Sequence, residues 1–179
     1  AYPYCWTRHN DYSTSTNYPY ISSTYYYSGN ASLYFYCSTS TYNIAVLPAI
    51  DPVVNPLSEL MVSFQMRSTS DTTSKIVVGV MTDPNDISTF IPIDTVANSI
   101  TGEFELQEIP LNSYTGNAAN VALKLINSTN TYSVYLDDVT LDYIPSCMRP
   151  SRPTLTAATN SSITLSWTPG GIESSWNIE

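Results

Sequence analysis

Few residues of this chain have the type and spacing to do chemistry, and the most conspicuous are two adjacent carboxylates. Asp137 and Asp138 interrupt "YSVYLDDVTLDY" (132–143), otherwise a strand-like run. On a regular strand adjacent side chains point to opposite faces, so one of the pair faces the side on which Val134 and Leu136 pack, and its charge needs compensation. Three arrangements supply it: a catalytic role, a bound cation, or a backbone irregularity whose N–H groups the carboxylates accept. Val134 and Leu136 share one parity while Val139, Leu141 and Tyr143 share the other. That slip predicts a β-bulge, which leaves the ladder locally unpaired and turns side chains toward one place. Two carboxylates there, with loop carbonyls and Asp11, could complete the roughly six to eight oxygen ligands of a structural calcium. Bulge carboxylates can also accept backbone N–H bonds and nothing more.

The remaining chemistry is thin. A nucleophilic triad or dyad would have to be built on the single histidine, His9, which lies between Arg8 and Asn10 and reads as a surface residue. The sequence contains no GxSxG elbow, HExxH helix, phosphate-cradling glycine loop or CxxC pair. Glu103 and Glu105 share a strand face, but a glycosidase needs two carboxylates across a cleft, and exposed edge-strand glutamates explain the pair equally well. The expectation is a protein without catalytic activity.

Tyrosine carries more information. Ten of the fifteen fall within the first 36 residues (Tyr2, Tyr4, Tyr12, Tyr18, Tyr20, Tyr25, Tyr26, Tyr27, Tyr34 and Tyr36), interleaved with Ser, Thr and Asn. Such a mixture makes rigid amphipathic contacts at low entropy cost, the chemistry of paratopes and sugar-stacking surfaces. Tyr25, Tyr26 and Tyr27 are consecutive and cannot all point one way, so at least one is expected to be exposed. With Gln65 and Arg67 as polar partners they form the expected ligand-binding set. The competing reading is that many of these rings cover the open face of a sheet.

The elements that must position these residues are strands. "LMVSFQMRS" (60–68) places Leu60, Val62, Phe64 and Met66 on one face and Ser63, Gln65 and Arg67 on the other. "KIVVGVMTD" (75–83), "FIPIDTV" (90–96), "EFELQEIPL" (103–111) and "NVALKLIN" (120–127) follow, separated by turn-forming clusters such as "DPND" and "NSYTGN". No stretch has a sustained helical period. Many short strands at such spacing predict an all-β antiparallel sandwich or jelly roll.

Composition bounds the partners. The apolar fraction is 42%, that of an ordinary globular protein, only 12% of residues are charged, and the formal net charge is −9. Nucleic acid and anionic membrane surfaces are therefore disfavoured partners. No apolar run approaches the roughly 20 residues of a bilayer-spanning helix, and no leader sequence is evident. Richness in Ser, Thr, Asn and Tyr at the expense of Lys and Glu points to a secreted or cell-surface protein. Three cysteines allow one disulfide and leave one thiol over. Cys37 shares a face with Leu33 and Phe35 and reads as a buried small hydrophobe. Cys5 and Cys147 are then the expected pair, tying the first strand to the last and closing a loop worth roughly 4 kcal/mol.

The order "GNASLYFYCS", "YNIAVLPAID", "LMVSFQMRS", "IVVGVMTDPNDISTFIPI", "FELQEIPL" and closing "VYLDDVTLDY" resembles that of MAM-like jelly rolls of secreted bacterial surface proteins, among them the cleaved-adhesin modules of Bacteroidota. The resemblance covers about residues 1–147 and implies a noncatalytic module, with a structural calcium beside the last strand that Asp137 and Asp138 would serve. A Pro- and Arg-containing connector is expected at 148–152. Residues 153–179 resemble the start of a fibronectin type III domain, through Pro153, the alternating Ile163, Leu165 and Trp167, the Pro169-Gly170-Gly171 turn and "WNIE". Two function classes follow: an extracellular binding or adhesion module for carbohydrate or a cell-surface glycoprotein, or a structural spacer linking further domains of the same chain.

Overall fold

The alternation in 60–68 becomes a nine-residue strand with Val62, Phe64 and Met66 fully buried, and the same period repeats along most of the chain. A computed structural model describes residues 2–11, 18–37, 42–69, 72–126, 132–170 and 174–176. Tyr12, Gly171 and residues 177–179, named above, lie outside these. In chain order the strands are β1 (Thr7–Asn10), β2 (Tyr20–Ser22), β3 (Ser32–Cys37), β4 (Asn43–Val46), β5 (Leu60–Ser68), β6 (Lys75–Met81), β7 (Ile91–Ala97), β8 (Glu105–Pro110), β9 (Asn120–Ile126), β10 (Tyr132–Tyr143), β11 (Ser151–Ala158) and β12 (Ile163–Thr168). Helical structure among the described residues is limited to two single 3₁₀ turns, Leu57–Glu59 and Ile87–Thr89.

Ten strands form a jelly-roll β-sandwich of two antiparallel five-stranded sheets, ordered β1-β4-β9-β6-β7 and β2-β3-β10-β5-β8. Leu33, Phe35, Cys37, Val62, Phe64, Met66, Val134 and Leu136 face inward from the second sheet. Ala45, Ile76, Val78, Val80, Val121, Leu123 and Leu125 meet them from the first. Each large side chain so buried contributes roughly 1.5–3 kcal/mol of transfer free energy, which is what fixes the register.

The two outer faces differ. On the first sheet Ile44, Val46, Met81 and Ala122 form a second buried cluster beneath Tyr42 and Phe90. The segment before β7 is anchored there by His9 Nε2, 2.7 Å from the Pro84 carbonyl oxygen. His9 is thus half-buried and hydrogen-bonded rather than a surface histidine. The outer face of the second sheet carries tyrosines.

The expected neighbour relation of first and last strands does not hold. β1 is an edge strand paired with β4, whereas β10 lies at the centre of the opposite sheet between β3 and β5. Strand order does not bear on the expected Cys5–Cys147 pair, because Cys147 lies beyond β10 in the unit that starts at Ile144; all three cysteines are free thiols, Cys5 and Cys147 exposed and Cys37 buried. Burial, with Asp11 adding to it, pushes the Cys37 thiol up to about 11.

The chain divides into two units between Tyr143 and Ile144. In the second, β11 and β12 pair as an antiparallel hairpin whose Leu155, Ile163 and Leu165 are exposed, and Trp167 meets Trp176 edge to face at 5.4 Å. β11 begins at Ser151, inside the stretch expected to be a connector.

Candidate functional site: a tyrosine face ordered by the Asp137–Asp138 bulge

Parity sends every second residue of the second sheet outward, and the register aligns those residues into rows. Tyr20 on β2 pairs with Tyr34 on β3, Tyr34 with Tyr135 on β10, and Tyr135 with Arg67 on β5, one unbroken row across four strands. The rings touch: Tyr20–Tyr34 centroids are 5.2 Å apart and Tyr34–Tyr135 4.6 Å. Tyr18 joins this group at 5.4 Å from Tyr20 and 5.3 Å from Tyr36. Tyr34 donates to or accepts from Ser133 Oγ at 3.0 Å, and desolvation by its neighbours pushes its phenol up to about 12.

A second tier lies on this row. The β2–β3 connection (23–31) brings Tyr25 edge-on to Tyr135 at 5.2 Å and places its ring face 4.2 Å from the Arg67 guanidinium carbon. Phe104 approaches the same guanidinium at 5.9 Å and meets Tyr27 at 5.9 Å. Tyr25, Tyr26 and Tyr27 are 41%, 47% and 57% exposed, so all three keep surface available to a ligand. Gln65 is on the same outward parity, in register with Asp137 on one side and Leu106 on the other. The structure brings Tyr25 onto Arg67 and links Tyr27 to it through Phe104, while Gln65 shares their outward face two residues from Arg67 on β5. Tyr26 makes no ring contact among the described residues.

The adjacent aspartates hold this connection in place. Between Asp137 and Thr140 the β10 register advances three residues against two on β5, and Asp138 is the extra residue, with φ +48° in the left-handed region. Asp is among the few residues that enter that region readily. After the slip Val139 and Leu141 pack against the core. Asp137 Oδ2 accepts the Tyr27 N–H at 2.7 Å and the Ser28 N–H at 3.1 Å, and its Oδ1 accepts the Asp138 N–H at 2.9 Å. Asp138 Oδ1 accepts the Ser28 hydroxyl at 2.5 Å. Ser32 Oγ donates to the Tyr25 carbonyl, and Gly29, at φ +63°, turns the chain back into β3.

The groups converging on Asp137 are N–H donors, so the backbone takes three of its acceptor sites, the arrangement of a capped bulge. Among the described residues no group of three or more His, Cys, Asp or Glu side chains is placed to hold a metal ion. Asp11 is not brought to the pair: it follows β1 on the other sheet, and its Oδ1 accepts the Tyr42 N–H at 2.7 Å. It acts on Cys37, whose strand partner Tyr132 lies five residues before Asp137, roughly 16 Å along β10 at strand rise. The expected outcome is equal melting temperature in millimolar calcium and in excess chelator; a calcium-dependent rise that vanishes in Asp138→Ala would refute the capped bulge.

Of the two glutamates considered for catalysis, Glu105 has its carboxylate engaged. Glu105 accepts from Ser99 N at 2.8 Å, Ser99 Oγ at 2.9 Å and Ile100 N at 2.6 Å, holding the β7–β8 turn. Tyr135 and Phe104 were not legible as site residues. Tyr135 carried a signal in its parity opposite to Val134 and Leu136; nothing in the sequence placed Phe104 against Arg67.

No protein-family profile matches the chain, and no curated protein matches it. Among solved structures it is similar to the K1 cleaved adhesin domain of Lys-gingipain from Porphyromonas gingivalis W83, at 16% identity over 80% of this chain and 93% of that one, with a TM-score of 0.56. It is similar to the family 30 carbohydrate-binding module of the cellulosomal cellulase Cel9D-Cel44B of Clostridium thermocellum, at 14% identity over 73% and 84%, TM-score 0.53. TmCBM61, solved in complex with beta-1,4-galactotriose, aligns at 14% identity over 78% and 88%, TM-score 0.50. At these identities the likeness is one of fold.

Proposed function

We propose that the chain is a noncatalytic extracellular binding module that recognises carbohydrate, free or on a cell-surface glycoprotein, through the outer face of the β2-β3-β10-β5-β8 sheet. The observation that carries this reading is the exposed second tier, with Tyr25 seated on Tyr135 and Arg67 at the end of the Tyr20–Tyr34–Tyr135–Arg67 row, Tyr27 against Phe104, and the connection held by Asp137. A solvent-facing sheet surface needs no such layering for stability, whereas a sugar ring presents an apolar C–H face that stacks on fixed aromatics and hydroxyls that their polar edges can serve. The neighbours in fold support it, since one is a carbohydrate-binding module and another was solved with a galactotriose. On this reading residues 1–147 are a MAM-like, cleaved-adhesin-type module, 148–152 a linker, and 153–179 the start of a fibronectin type III domain that leads to further domains. Chain composition favours the secreted location.

A glycan array probed with the full 179-residue chain tests the proposal. Reproducible hits are expected, and Tyr25→Ala should weaken them about tenfold, the ~1.4 kcal/mol within reach of one stacked aromatic. Ile91→Thr, on the far edge of the other sheet, should leave them unchanged. Silence across the array would favour the alternative, a structural spacer with no ligand of its own.

A further inference from the structure

Resting on that carbohydrate reading, we infer that the glycan carries a carboxylate, as a uronic or sialic acid does, and that Arg67 is the group that receives it. Acidic residues outnumber basic ones fifteen to six in this chain. Yet among the described residues Arg67 has neither an ion pair nor a hydrogen bond, and its Nε is buried without an acceptor. What holds the guanidinium is aromatic: the Tyr25 face at 4.2 Å and Phe104 at 5.9 Å. The two carboxylates nearest by register are engaged elsewhere: Glu105, opposite Met66, accepts from Ser99 N, Ser99 Oγ and Ile100 N, and Asp137, opposite Gln65, accepts the N–H groups of Tyr27, Ser28 and Asp138. Beside the guanidinium the chain has Gly102, whose missing Cβ would stand 3.8 Å from Arg67 Nη2, so that edge is not walled off by a side chain.

A planar cation fixed between rings, with its donors uncommitted, matches the two oxygens of a carboxylate and loses little freedom in binding one. Stacking neutral sugar requires the rings alone. The net charge of −9 does not oppose this at close range, because fields beyond roughly 8 Å are screened at physiological ionic strength and Arg67 dominates locally.

The test is a pairwise titration of the full chain with α-2,3-sialyllactose against lactose, and with tri-galacturonate against its carboxyl-reduced galactotriose. The expected result is that the acidic member of at least one pair binds about tenfold tighter than its neutral counterpart, that raising NaCl weakens only the acidic one, and that Arg67→Gln brings the ratio close to one. Which pair responds separates a uronate from a sialoside. Arg67→Lys should recover part of the preference, since it restores charge without the planar fork. Should the substitutions fail to fold, the acid-to-neutral ratio of the native chain decides alone. A ratio near one in both pairs, with array binding intact, overturns the role of Arg67 and leaves carbohydrate binding standing. Absence of all glycan binding overturns both.

Discussion

Phe35→Ala is expected to lower the free energy of unfolding by about 3–5 kcal/mol, a large share of the roughly 5–15 kcal/mol of a typical domain. Phe35 is fully buried on β3, packed with Phe64, Met66, Val134 and Leu136, and the sandwich cannot collapse onto the void without shifting a sheet whose register is fixed on both sides. Urea titration followed by far-ultraviolet circular dichroism measures the loss. Tyr36→Ala, one residue on and facing outward, should cost far less. A loss below about 1 kcal/mol for Phe35→Ala would place that ring outside the inter-sheet core.

Asp137→Ala is the second. Its carboxylate takes three N–H bonds, and hydrogen bonds to a charged group contribute about 1.5–3 kcal/mol each when buried, less in this half-exposed setting. A total loss of about 2 kcal/mol is expected, concentrated in the 23–31 connection rather than in the core. Hydrogen exchange should accelerate at the Tyr27 and Ser28 amides while the amides of β5 and β10 above the bulge keep their protection. Asp137→Asn, which keeps an acceptor oxygen but not the charge, should fall between. Because Tyr25 reaches Arg67 and Tyr135 through this connection, glycan binding should weaken with it. Unchanged exchange at Tyr27 and Ser28 would show that the aspartates do not order the tyrosine tier.

Those two effects trace to different levels of information. The sequence by itself determined which residues face the core, because a period of two leaves no freedom: once Leu33, Phe35 and Cys37 point inward, Tyr34 and Tyr36 must point outward, and the same holds for Gln65 and Arg67 on β5. It also determined that the alternation in β10 breaks at Asp137–Asp138, since a slip in parity has no other regular expression. Only the tertiary structure decided what those facts were for. Strand order is set by long-range pairing, so β10 became a central strand rather than the neighbour of β1. Asp11 was separated from the pair for the same reason. The partners of Asp137 come from residues 109 and 110 positions earlier in the chain, a contact no local pattern encodes. Arg67 was visible as an outward cation. That its counterpart is a pair of aromatic faces and not a carboxylate depends on where the connection at Tyr25 and the approach to β8 at Phe104 fold back over the sheet.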